Sequence, residues 1–95
     1  MDLQKPTVGR IVHYTTQKGN VRAALIVSTW GDSPTAAVNL RVFTDFTNDA
    51  NTWEADKLDP ELAAGAQSGV VWITSKCQSG DGQPKPGHWH FPPRA

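Results

Sequence analysis

Val38-Asn39-Leu40-Arg41-Val42-Phe43-Thr44-Asp45-Phe46-Thr47-Asn48-Asp49 is the stretch whose reading decides the fold. Side chains alternate across a strand, so Val38, Leu40 and Val42 share one face while Asn39, Arg41 and Phe43 take the other. The stretch then runs into Thr44-Asp45 and Asn48-Asp49, whose side chains bond local backbone and favour turns. A strand releasing into a polar loop is a common way to set functional groups on a rigid frame. Upstream, Arg22 to Trp30 is the most apolar segment and reads as a central strand with neither face fully wet. Gly31-Asp32-Ser33-Pro34 ends it with strong turn chemistry, so Arg22 to Phe43 forms an antiparallel hairpin.

The same reading extends to both ends. Val8-Gly9-Arg10-Ile11-Val12-His13-Tyr14 is rich in β-formers, and Thr15 to Asn20 is its hairpin loop. His13 and Tyr14 fall on opposite faces. Residues 44–69 form a long insert. Within it, Asp59-Pro60-Glu61-Leu62-Ala63-Ala64-Gly65 carries an N-cap residue, a proline at the first helical position and a glycine stop, which predicts one or two helical turns near 59–65. Trp53 lies in the same insert and calls for something to cover it. Val70 to Cys77 is a fourth strand, Gln78 to Gly87 a loop, and His88 to Phe91 a short fifth strand that Pro92-Pro93 cuts off. Five short strands in 95 residues predict one mainly β domain: a small, partly open five-stranded SH3-like barrel, with a small sandwich as the competing layout.

Composition bounds the function. Nine basic residues balance nine acidic ones, so no large field draws in nucleic acid or an anionic membrane. No apolar run approaches the ~18 residues of a membrane helix, and Met1 to Pro6 lacks the apolar core of a secretion signal. The single Cys77 cannot form an internal disulfide and suits a reducing compartment. A cytoplasmic protein is expected. Four tryptophans, Trp30, Trp53, Trp72 and Trp89, are many for this length. They fill the interior, or one or two lie at a subunit contact or stack on a planar ligand; their surplus over the core volume of so small a domain predicts a homo-oligomer.

Candidate chemistry is sparse. His88 and His90 project from one face and, with His13 or Cys77, would make a nitrogen–sulfur set for zinc. No CxxC or HExxH accompanies them, so surface or interface hydrogen bonding is the expected role, with no metal or cofactor. Asp45 and Asp49 are turn residues before they are general bases. With no nucleophile elbow and no phosphate-cradling glycine loop, the chain is not expected to be an enzyme. The more specific pattern is arginine beside hydroxyls and aromatics, which offers bidentate hydrogen bonds to phosphate and a plane for a base. Arg10, Arg41, Thr74, Ser75 and Lys76 are the candidate phosphate or hydroxyl contacts, and Tyr14 or Trp89 the candidate stacking ring. The competing reading makes these cations solvated strand-edge charges that discourage aggregation.

Three stretches taken together carry a resemblance: Thr7-Val8-Gly9-Arg10-Ile11-Val12-His13-Tyr14, Val38 to Asp45 with Thr47-Asn48-Asp49, and Pro86-Gly87-His88-Trp89-His90-Phe91-Pro92. The chain resembles a group of small bacteriophage and prophage proteins that begin with a VGRIVHY strand and end in a PGTWHWP segment. His88 stands here for their usual threonine and Phe91 for their usual tryptophan. The resemblance spans nearly everything except residues 51–69. It implies expression in the cytoplasm of an infected bacterium. By analogy with other compact phage proteins it implies a non-catalytic binding protein that sequesters a nucleotide-derived messenger of host antiviral defence. The alternatives are a virion component, such as a head-decoration subunit, and a direct inhibitor of a host protein.

Overall fold

Each alternating segment becomes a strand: β1 (Ile11–Thr15), β2 (Val21–Thr29), β3 (Val38–Phe43), β4 (Val70–Lys76) and β5 (His88–His90). The computed structural model describes residues 4–49 and 58–92. β1 begins three residues later than its β-forming sequence suggests. Gly9, at φ 92°, turns the chain first, and the Arg10 N–H closes that turn on the Thr7 carbonyl at 3.1 Å. Left-handed φ favours glycine, which has no Cβ to clash.

All strand pairs named so far are antiparallel, in the order β4-β3-β2-β1-β5. β5 thus crosses back to pair with the first strand, His13 opposite His90 and Tyr14 opposite Trp89. Two bulges curl the sheet. The β2–β3 register slips between Ile26 and Ser28, and the β3–β4 register slips between Val38 and Leu40. Both meet at Asn39, whose side-chain oxygen accepts the Ser75 N–H at 3.2 Å while Ser75 sits at φ 59°. An extra residue in one strand increases local twist and coiling. Curling brings the run after β4 to the far side of β5. There the Trp89 N–H donates to the Cys77 carbonyl at 3.2 Å and the Ser79 N–H to the Trp89 carbonyl at 2.8 Å. The sheet is therefore a partly open, SH3-like barrel, shut at one place by this seam.

The inward face follows from the alternation. Val38, Leu40 and Val42 are buried with Val12, Tyr14, Ala24, Ile26, Ile73 and Trp89. Trp89 supplies the largest buried side chain, and its indole N–H reaches the Lys76 carbonyl at 3.2 Å, so its polar atom is satisfied. Truncating such a ring costs ~3–5 kcal/mol.

The insert closes one end. Its first piece is a single helical turn, α1 (Phe46–Asp49), which the sequence reading placed in irregular loop. The second is α2 (Pro60–Ala63), capped by Asp59, whose carboxylate accepts the Glu61 N–H at 3.1 Å. Leu62 on α2 is fully buried in the barrel core. Gly65 stands where a stop was expected, but for a different reason. A Cβ there would lie 2.0 Å from the Val70 carbonyl oxygen, so glycine is needed for close approach of the insert to β4. Trp53 lies outside the described residues.

Candidate functional site

Two polar regions compete for attention, and their chemistry differs. At the insert end, carboxylates from residues 44–61 dock on the β1–β2 hairpin. Asp59 accepts from the Thr16 hydroxyl at 2.5 Å and the Asn20 amide at 2.9 Å. Glu61 accepts from the Tyr14 hydroxyl at 2.5 Å and the Gln17 N–H at 2.8 Å. Asp49 takes both Arg22 Nη2, at 2.6 Å, and Nε, at 3.2 Å, together with the Asp45 N–H at 2.7 Å. Burial and the Glu61 contact push the Tyr14 hydroxyl well above its usual range, so it stays a neutral donor. Burial works against ionised Asp49, but the bonds from Arg22 and Asp45 outweigh it and hold its carboxyl below the usual value. The same pair raises Arg22. Every carboxylate oxygen of Asp49, Asp59 and Glu61 has a protein partner, so this end is a clasp.

The outer face of the sheet is different. Register aligns Ile11, Leu25, Arg41 and Trp72 in one row across four strands. The Arg41 guanidinium lies 6.0 Å from the centroid of the Trp72 ring. No carboxylate pairs with Arg41 among the described residues. Trp72 is 49 % exposed and Phe43, two residues along β3, 40 %. Thr74 and Ser75 are exposed at the end of the same strand as Trp72. A guanidinium resting on an indole keeps free N–H groups for an anion and a wide plane for stacking.

The candidate residues therefore fall into separate places. Arg41 lies on the outer face of β3–β4 opposite Trp72, and Thr74 and Ser75 follow as exposed residues farther along β4, at the Asn39 bulge. Arg10 lies 5.0 Å over the Phe91 ring, which in turn meets Trp89 edge-on at 5.3 Å, a different region. Lys76 pairs with buried Val38 beyond the bulge, and the Ser75 turn parts it from Thr74 in the alternation. Tyr14 and Trp89 require correction: both are wholly enclosed and neither offers a ring face to a base. Sequence alternation alone cannot tell which face of a two-sided apolar strand is inward. The stacking ring it missed is Trp72, and the signal was present, since Val71 and Ile73 flank it at inward positions. Arg22, the arginine on β2, is spent on Asp49.

No group of three histidine, cysteine or acidic side chains suited to a metal ion occurs among the described residues. His88 is instead oriented by its Nδ1 contact with the Pro86 carbonyl at 3.0 Å. No described helix is long and apolar enough to cross a membrane. Fold and surface together define a small, mainly β barrel with an open guanidinium–indole platform. No protein-family model, curated protein or solved structure matches the chain.

Proposed function

We propose that the protein is a non-catalytic binding module for a nucleotide-like ligand, taken up on the outer face of β3–β4. Arg41 meets a phosphate, Trp72 stacks the base, and Thr74 and Ser75 supply hydroxyls to the sugar or phosphate. The observation that carries this reading is the Arg41–Trp72 pair, a charge and a plane held together on an exposed, rigid sheet. Base–aromatic stacking contributes ~1–3 kcal/mol, and a guanidinium adds charge-assisted hydrogen bonds. A second copy of the chain covers the remaining aromatic surface. In the phage setting that the sequence resembles, such a protein works in the host cytoplasm by sequestering a nucleotide-derived defence messenger.

The test is retention. The protein is incubated with a panel of cyclic and linear nucleotides, desalted and heat-denatured, and the supernatant is analysed by mass spectrometry. A retained nucleotide, lost in Arg41→Ala and Trp72→Ala, supports the reading; no retention and no thermal shift with any of them discards it. A virion role is favoured instead by exposed apolar residues outside β3 and β4, Trp30 at 64 % and Val8 at 59 %. Many copies per particle in purified virions would establish that alternative.

A further inference from the structure

The seam that shuts the barrel holds a histidine pair that the ligand reading does not use. His13 on β1 and His90 on β5 are cross-strand partners, with ring centroids 5.4 Å apart in an edge-on arrangement. Both sit on the side of the sheet opposite Tyr14 and Trp89, yet His90 is only 4 % exposed. The 80–87 loop rejoins the sheet at this ladder. The Gly87 N–H donates to the Thr15 carbonyl at 2.8 Å, and Asp81 lies near enough for its charge to act on His90. Thr15 and Ser79 are buried alongside, and the hydroxyls of both, like His90 Nδ1, have no hydrogen-bond partner among the described residues.

We propose that this seam is an acid-operated latch, closed while His90 is neutral and released when His90 takes a proton. A proton on the enclosed ring creates a buried cation with no acceptor at Nδ1 among the described residues, beside the edge of a second imidazole. The groups facing His90 are His13 from β1, Asp81 from the loop and His88 from its own strand. His88 is tied to the Pro86 carbonyl. Asp81 favours the charged form, but burial, first, and His13, second, win, and the ring stays below its ordinary value of 6.5. The sign follows. The opened state binds the proton more readily, so closure is complete above pH 6.5 and weakens as pH falls below it. The bonds that report closure are Trp89 N–H to Cys77 and Ser79 N–H to Trp89. Arg41, Trp72, Thr74 and Ser75 take no part, so the latch stands or falls apart from nucleotide binding.

Hydrogen exchange read by NMR tests it. Corrected for the intrinsic rate, exchange at the Ser79 and Trp89 amides is expected to rise from pH 7.5 to 5.5, by up to about tenfold, because 5.5 lies one pH unit below the ordinary imidazole value of 6.5. Exchange at Leu40 and Val42 stays constant. In His90→Phe the rise disappears. Should that variant fail to fold, the His90 ring protons of the wild-type protein are titrated instead, and their midpoint must coincide with the loss of amide protection. An equal rise in His90→Phe, or a titrating His90 with unchanged seam amides, overturns the proposal.

Discussion

The two ends of the β3 ladder teach opposite lessons about polar residues. At the insert end, three carboxylates are consumed by partners: Tyr14, Thr16, Asn20 and Arg22 each point at one of them. On the outer face of β3–β4, Arg41 has an indole for company and no counter-ion among the described residues. Removing a partner from a satisfied buried network leaves orphaned groups and lowers stability. Removing an exposed cation leaves the fold alone and deletes whatever the cation was there to meet. The contrast separates residues that hold the molecule together from residues available to a ligand.

The comparison can be broken at four points. The largest effect is expected at the junction of insert and sheet: Gly65→Ala drives a methyl group into the Val70 carbonyl and should cost about 4 kcal/mol or more, read by urea unfolding. A wild-type-like midpoint would mean that the insert does not pack on β4. Next come Glu61→Ala and Asp59→Ala, each expected to cost ~1–3 kcal/mol. Because Asp59 caps the α2 turn that carries Glu61, losing the cap already loosens the Glu61 contacts, so the double variant should lose less than the sum, a coupling that a double-mutant cycle measures.

Acid offers a gentler test of the same end. The folded state holds the Asp49 carboxyl below its ordinary value of 3.8, so its contribution is complete above that pH and is lost as pH falls below it. Asp49→Asn should remove that portion of the acid sensitivity in thermal melts between pH 4 and 2. The smallest stability change is expected on the open face. Arg41→Ala and Trp72→Ala should shift unfolding by only about 0.5 kcal/mol, in line with surface substitutions, while abolishing nucleotide retention. If instead they destabilise like the clasp variants, the guanidinium–indole pair is structural and the platform reading fails.

Much of the architecture was legible because period-two alternation is a strong signal where one face is buried. Val38, Leu40 and Val42 could be assigned inward from their spacing, and Asp59-Pro60 announced α2 through capping chemistry. The site was less legible. In β1 and β5 both alternations carry large side chains, so nothing local distinguished Tyr14 and Trp89 as core from His13 and His90 as outer. The partners that decide Tyr14 and Arg22, Glu61 and Asp49, lie far away in sequence and come together only through the insert's docking. Arg41 and Trp72 meet only because the β3–β4 register puts them opposite each other, and a one-residue slip would send them to different faces.

Because β1 is partnered by β5, the ribosome delivers the second half of the closing pair only after β2, β3 and β4. A nascent chain can build the β2–β3–β4 meander early, but Tyr14 must wait for Trp89 to emerge before its side of the interior is dry. Non-local pairing of this kind slows folding and leaves apolar surface open in the interval. A translation arrest placed just ahead of His88 should therefore yield a protease-sensitive, chaperone-bound intermediate rather than a smaller folded protein.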